Sequence, residues 1–392
     1  MTQHTKVVVI GGGYSGTFAA NHLRKVGDVE ITLVNPRPKF VERIRLHQLV
    51  AGTASATADY GRLLGEGIRL VVDTATRIDT ASRKLQLATG RALDYDYLVY
   101  AVGSTGAVPA SVPGAVEFAY PIAELEHAQR LRAALDELPS DARITVVGAG
   151  LTGIETATEL AEQGRNVTLV CGGQLGPSLS APGRRSVAKV MAKLGVVVLE
   201  ADVVTEVRPD AVVFADGAVR PSAVTIWTAG FGVPELASAS GLRTDAMGRL
   251  LTDETMTSID DPRIVAAGDC AAPSGRPLRM SCQAAAPLGE QAADTVLSRI
   301  AVTTPTVITP AFVGSCISLG RHAGTFQIAR KDDTSVNFYL GGRAAAALKE
   351  AICKGTLWGL RQEARKPGSA FYFKGRARGE QPVEAAQAVT EQ

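Results

Sequence analysis

Two stretches of this chain, KVVVIGGGYSG from Lys6 to Gly16 and RITVVGAGLTG from Arg143 to Gly153, decide its fold. Each is a short β-rich run entering Gly-x-Gly-x-x-Gly, with glycines Gly11, Gly13 and Gly16 in one copy and Gly148, Gly150 and Gly153 in the other. Each continues into a helix-like stretch, Thr17 to Lys25 and Ile154 to Gln163, and then a second apolar run, Ile31 to Val34 and Val167 to Val170. That order predicts strand, turn, helix and strand, twice. Glycines at this spacing let the backbone turn tightly and approach a pyrophosphate, whose charge is held by free N–H groups at the helix N-terminus. A single such motif is weak evidence. Two copies 137 residues apart, in the same context, point to two dinucleotide sites. One chain holding two dinucleotides suggests a flavin exchanging electrons with a nicotinamide.

Working outward, Tyr95 to Gly103 and Ala223 to Gly230 are apolar strands that end in small residues, each lying after its own glycine motif. Small residues there would let backbone pass close to a cofactor. Ile264 to Asp269 is another apolar run, ending in Gly268-Asp269, where a carboxylate could accept from a ribitol hydroxyl or simply close a turn. Beyond about residue 309 short β-like runs, Phe312 to Leu319, Thr325 to Ala329 and Val336 to Leu340, precede an Ala-rich helical stretch from Arg343. This predicts a small separate α+β domain.

Composition narrows the function. At 392 residues, 46% of them hydrophobic, the chain is long enough for two or three domains with sizeable cores. A net charge of +2 lacks the footprint of a dedicated nucleic-acid binder. Cys171, Cys270, Cys282, Cys316 and Cys353 show neither C-x-x-C nor zinc-like spacing, so buried reduced thiols and no metal site are expected. Glycines and prolines interrupt the longest uncharged stretch, Tyr97 to Val116, and no membrane span is predicted. Val7 to Ile10 reads as a buried strand rather than a signal segment, so a cytoplasmic protein is expected.

These residues resemble the two-dinucleotide-binding-domain flavoprotein superfamily over nearly the whole chain. Gly11 to Gly16, with Gly12, Tyr14 and Ser15, looks like the FAD fingerprint, Gly148 to Glu155 like the nicotinamide fingerprint, and Asp269 like the second FAD contact. The resemblance implies an α/β fold with two Rossmann-like domains and a small α+β C-terminal domain. The FAD-binding domain would be 1–120 with 258–308, the NAD(P)H-binding domain 121–257, the acceptor domain 309–378, and 379–392 a frayed tail. With no redox cysteine pair in the family's places, electrons should leave directly from the flavin. Within the superfamily, Ser318 to Ile328, Gly342-Arg343 and Lys349-Glu350 are similar to type II NADH:quinone dehydrogenases and, more closely, the apoptosis-inducing-factor-like ferroptosis suppressor. There are two departures. Cys282-Gln283 to Gly289 keeps one glutamine of the A-Q-x-A-x-Q-Q-G segment and replaces the pair by Pro287-Leu288, and no strongly amphipathic anchor closes the chain.

The resemblance also assigns roles. Asn35 stands where an acidic residue normally accepts from the FAD adenosine ribose, and its amide oxygen can still accept. Cys171 holds the matching place in the second unit. No carboxylate stands there, and Arg184-Arg185 could bind a 2′-phosphate, so NADH and NADPH both remain open as substrates. Glu155, in the first turn of a helix, reads either as a dipole-stabilising surface carboxylate or, by resemblance, as a group beside nicotinamide and flavin. In Phe40 to Gln48, a solvated face by its polarity alone, the resemblance makes Arg45 a pyrophosphate contact and His47 a proton donor. Ala75 would meet the adenine through its backbone, Gly103 and Gly230 would pass close to the cofactors, and Gln283 would stand beside the flavin.

From 343 to 378 nine basic residues face two acidic ones, with Trp358, Phe371, Tyr372 and Phe373 among them. That mixture suits either a solvated face or peripheral contact with anionic lipid. The expected activity is FAD-dependent oxidation of NAD(P)H with a quinone-like acceptor. The rivals are a reductase of a ferredoxin-type protein and a nucleotide-sensing flavoprotein acting through partners.

Overall fold

The computed structural model describes residues 4–377. The expected tail 379–392 and Arg378, the last of the nine basic residues, lie outside them. Each glycine motif follows the central strand of a five-stranded parallel sheet. In the first sheet the order is Ile264–Ala266, Tyr97–Tyr100, Thr5–Ile10, Val29–Asn35 and Arg69–Val72. In the second it is Ala119–Pro121, Val224–Trp227, Arg143–Val147, Asn166–Val170 and Val197–Leu199. Strands buried on both faces need near-continuous apolar runs, and Val7, Val9, Val146 and Leu169 are fully buried here.

The duplication extends beyond the motifs. A three-stranded antiparallel sheet follows the third parallel strand of each unit: Ala75–Asp79, Lys84–Leu87 and Ala92–Asp94 in one, and Val204–Val207, Ala211–Phe214 and Val219–Pro221 in the other. Each then returns through a strand ending in small residues. Those two strand ends meet: Thr105–Gly106 pairs antiparallel with Phe231–Gly232, tying the edges of the two units together.

The helix Cys282–Ile300 crosses the helix Tyr14–His22 at Gly289, where a Cβ would stand 2.3 Å from the Ser15 carbonyl oxygen. Strands Gly314–Ser318, Gly324–Ala329 and Ser335–Gly341 form an antiparallel meander, as expected. The long helix Gly342–Arg365 then packs back on this meander and on Tyr14–His22. Phe40 to Gln48 is not one helix. A strand, Lys39–Val41, leads through a 3₁₀ turn, Arg43–Arg45, into a short helix, Leu46–Ala51, which packs against Leu151–Glu162. His47 of one unit is thereby carried to the glycine-motif helix of the other.

Candidate active site

The two glycine loops are built alike. Gly11 and Gly148 take φ of +98° and +110°, a region that favours glycine, and a Cβ at either would strike the strand end beside it. At Gly16 and Gly153 a Cβ would lie 1.8 Å from the carbonyl oxygen of Gly11 or Gly148, so the third glycine lets the helix sit on the turn. The middle glycines differ: a Cβ at Gly13 or Gly150 meets nothing within 4 Å. Both are N-caps without a side-chain hydrogen bond, so no capping side chain occupies the N-termini of Tyr14–His22 and Leu151–Glu162. A pyrophosphate fits such a cradle, charge against dipole.

Further residues brace the first loop. Asn35 Oδ1 accepts from Gly12 N–H at 2.9 Å and its Nδ2 donates to the Arg37 carbonyl, which leaves one acceptor lone pair for a ribose. Tyr60 donates to the Gly12 carbonyl at 2.7 Å, and a Cβ at Gly12 would collide with that hydroxyl. No sequence signal marked Tyr60. Ser15 lies under Gly268, whose Cβ would stand 2.4 Å from its Oγ, so Gly268-Asp269 is held against the first helix. Asp269 accepts from Ser104 Oγ at 2.6 Å, and Arg43 donates to the same Oγ at 2.9 Å. Gly103, beside Ser104, has φ +72° and open space at its Cβ.

The phosphate role expected of Arg45 is not what the structure shows. Its buried guanidinium donates to Glu42, Gln48 and both oxygens of Glu350 on the C-terminal helix. Desolvation forces this choice: a cation this buried requires carboxylates, and Glu350 supplies a two-pronged one. Arg43 is the cation on the Ser104–Asp269 side.

Glu155 belongs to a buried cluster where all three parts of the molecule meet. It is 6% exposed, so the surface-carboxylate reading fails. Its Oε1 accepts from Lys349 Nζ at 2.9 Å and from the Ser318 N–H at 3.0 Å, while Oε2 lies 3.7 Å from His47 Nδ1. His47 Nε2 meets Ser318 Oγ at 3.2 Å. Burial alone would raise the Glu155 pKa, but the Lys349 ammonium and the Ser318 N–H hold it below the usual range. Burial likewise works against the charge on Lys349, and Glu155 overcomes it, lifting the Lys349 pKa above its ordinary value. For His47 burial wins over the pull of Glu155 and pushes the imidazole down to about 4. At neutral pH the cluster is therefore carboxylate, ammonium and neutral imidazole. Glu155 holds the Lys349 proton tightly, and His47 is poised to pass a proton or donate one neutral N–H rather than to act as a stored acid.

The remaining expected residues lie around this frame. Ala75 opens the antiparallel strand that follows Arg69–Val72 and packs on the core of the first unit. Gly230, φ +86°, approaches the Ala107 carbonyl at the seam between the units. Gln283 stands at the start of Cys282–Ile300, and its amide, with O and N oriented to satisfy both neighbours, bridges Val313 N–H and Gly314 C=O at 3.2 Å. A narrow cleft opens next to it, lined by Leu278, Pro287, Leu288, Phe312 and Tyr372. Arg184, which with Arg185 could have bound a 2′-phosphate, donates to the carbonyls of Leu175 and Leu179. Lys349, counted in the basic C-terminal segment, points inward to Glu155.

Comparison with known proteins agrees with this construction. The model of the pyridine nucleotide-disulphide oxidoreductase family matches residues 5–289. The chain is 31% identical over 326 residues to the NADH dehydrogenase-like protein MT1860 of Mycobacterium tuberculosis (strain CDC 1551 / Oshkosh), covering 75% of this chain and 80% of that one. It is 32% identical over 298 residues to putidaredoxin reductase CamA of Pseudomonas putida, covering 69% and 68%. In fold it is similar to the sulfide:quinone oxidoreductase of Aquifex aeolicus, with a TM-score of 0.79 at 22% identity and 93% of each chain covered. Two glycine cradles built to one plan, and a family match over most of the length, lead to one conclusion: the chain belongs to the pyridine nucleotide-disulphide oxidoreductase family.

Proposed function

We propose that the protein is an FAD-dependent NAD(P)H dehydrogenase that delivers electrons to a quinone-like acceptor. The observation that carries this reading is the pair of equivalent cradles, each with an open middle glycine at an uncapped helix N-terminus. Gly11 to Gly16, Asn35, Ala75, Gly103 and Asp269 would hold FAD, and Gly148 to Gly153 with Gly230 would hold the nicotinamide dinucleotide. Bound there, the flavin would supply hydride acceptance from the reduced nicotinamide and onward electron transfer. The chain's own part is to orient and to manage charge. Glu155 is anchored by Lys349 and Ser318, so it can orient an amide donor such as a carboxamide without moving. Lys349 keeps Glu155 charged, and the neutral His47 beside it can relay a proton to an acceptor reduced in a dry site.

Two features favour a quinone over a protein acceptor. One is the mostly apolar lining of the narrow cleft between Gln283 and Phe312, a surface of the kind an apolar ring would meet. The other is the exposed C-terminal face, where Trp358, Phe371 and Phe373 lie exposed among Arg343, Lys354, Arg365, Lys366, Lys374 and Arg376. Of its two acids, Glu363 is buried against His22, while Glu350 pairs with Arg45 and, at 3.6 Å, with Lys354. Such a face fits peripheral contact with anionic lipid, where a long-tailed quinone dissolves. Among the described residues no helix is long and apolar enough to cross a membrane. The likeness to putidaredoxin reductase keeps a ferredoxin-type acceptor as the second reading. Anaerobic reduction by NADH and NADPH, followed by reoxidation with a quinone panel and with a ferredoxin, decides between them. Fast reoxidation by quinones supports the proposal, and fast reoxidation by the ferredoxin alone overturns it.

A further inference from the structure

The second strand of the nicotinamide-type unit ends at Val170, and Cys171-Gly172-Gly173 follows. Gly172 and Gly173 have φ of +67° and +150°, and a Cβ at either meets nothing within 4 Å, so this loop borders open space. Strand Val197–Leu199 runs parallel beside it in the register Val170↔Leu199, which places Glu200 next to Cys171. Three hydrogen bonds strap the loop to that neighbour: Cys171 N–H to Leu199 C=O at 2.8 Å, Gly172 N–H to Asp202 C=O at 3.1 Å, and Gly173 N–H to Glu200 C=O at 2.7 Å. Burial pushes the Cys171 thiol up to about 11, and the Glu200 carboxylate adds to that shift, so the carboxylate itself lies near the thiol. The Glu200 side chain is exposed and makes no hydrogen bond or ion pair within the described residues.

The first unit offers an internal comparison. There the register Val34↔Val71 matches Val170↔Leu199, so the residue equivalent to Glu200 is the exposed Val72, which offers no carboxylate. Asp73, one residue farther on, is consumed locally, accepting from Thr74 N–H at 2.8 Å and Thr89 Oγ1 at 2.6 Å. Glu200 has no such partners. In dinucleotide units the ribose of the adenosine half lies at the end of the second strand, and a carboxylate there accepts from its hydroxyls. Here that strand ends in an uncharged thiol, while a carboxylate reaches the same place from the next strand.

We infer that Glu200 is the residue that selects the nicotinamide substrate, accepting from the adenosine ribose hydroxyls and repelling a 2′-phosphate. This rests on the reading that the Gly148–Gly153 cradle holds a nicotinamide dinucleotide. The commitment of Arg184 to Leu175 and Leu179 removes one of the two cations that would have favoured the phosphate. NADH is therefore the preferred substrate. Because Glu200 is exposed and screened by water, the preference is about 10- to 100-fold rather than absolute.

The test uses the flavin-loaded full chain and the Glu200→Gln and Glu200→Arg variants, with two readouts. Calorimetry measures binding of 5′-ADP and 2′,5′-ADP, and stopped-flow absorbance measures flavin reduction by NADH and NADPH. The expected result is that Glu200→Gln raises the affinity for 2′,5′-ADP relative to 5′-ADP about tenfold, and that Glu200→Arg raises it further, with the NADPH to NADH rate ratio moving in parallel. An affinity ratio unchanged within about twofold in both variants overturns the assignment to Glu200, while NADH still reducing the flavin leaves the proposed function standing. A wild-type protein that binds neither nucleotide overturns both.

Discussion

Replacing Lys349 by methionine would leave Glu155 buried without its strongest charge partner. The two side chains are 12% and 8% exposed and 2.9 Å apart, so water cannot take over the lost interaction. Removing one member of such a pair costs about 3 to 5 kcal/mol, a large share of the ~5 to 15 kcal/mol that stabilises a typical domain. The loss should depend on pH. With Lys349 gone, burial dominates at Glu155 and its folded-state pKa rises above the unfolded value. A group shifted that way contributes stability at low pH that disappears as pH rises through the folded pKa. The deficit of Lys349→Met should therefore be greater at pH 8 than at pH 5.5. The double variant Lys349→Met/Glu155→Gln should lose less than the sum of the single losses, by about 2 kcal/mol. Urea unfolding followed by circular dichroism at the two pH values measures all of this. A Lys349→Met loss below about 1 kcal/mol at both pH values, or strictly additive single losses, would refute the buried-pair account of the site.

Further outcomes follow from other residues. Gly13→Val should fold normally, since its Cβ meets open space, yet fail to retain flavin, whereas Gly150→Val should keep flavin and lose nicotinamide binding; flavin absorbance and calorimetry separate the two. The two buried histidines should shape the stability profile in opposite directions. For His22, hydrogen bonds that its ring donates to Asp294 and Glu363 outweigh burial and lift the imidazole to about 9, so its contribution is full below pH 6.5 and is lost as pH rises through 9. His47, depressed to about 4, contributes above pH 6.5 and loses that contribution as pH falls toward 4. Each shift corresponds to about 3 kcal/mol, so His22→Gln should flatten the alkaline limb of thermal stability and His47→Gln part of the acid limb. The full chain should sediment with anionic vesicles at low salt and be released at 1 M salt, where the Debye length falls to ~3 Å, while Trp358→Ser/Phe371→Ser weakens that binding; no sedimentation at low salt would remove the membrane-contact proposal.

The two βαβ units were legible because period, glycine spacing and strand composition are local properties that repeat. The C-terminal meander was legible for the same reason, its three short β-rich runs preceding an Ala-rich stretch. Within the site, Glu155 and His47 could be named, but nothing in their spacing shows that they meet. His47 lies 108 residues before Glu155, and only the packing of Leu46–Ala51 on Leu151–Glu162 joins them. Ser318 was visible only as part of a family resemblance, and Lys349 there and in the basic C-terminal segment, with no sign that they anchor Glu155. Arg45 and Arg43 are alike in sequence, and burial against Glu350 separates their roles. Tyr60 carried no signal, since a tyrosine after a short strand is ordinary until its hydroxyl is seen on the Gly12 carbonyl. Glu200 was missed because the ribose carboxylate was sought at the end of the second strand, and strand register alone brings the third strand's end beside it.

On the proposed function, one chain holds two dinucleotides in equivalent cradles and passes electrons between them. Anaerobic titration of the purified protein with NADH, followed at the flavin absorption band, tests it most directly. One equivalent of FAD per chain, bleached fully by about one equivalent of NADH in wild type but not in Gly150→Val, is the predicted result. A protein that takes up no FAD, or one whose flavin NADH leaves oxidised, would contradict the account.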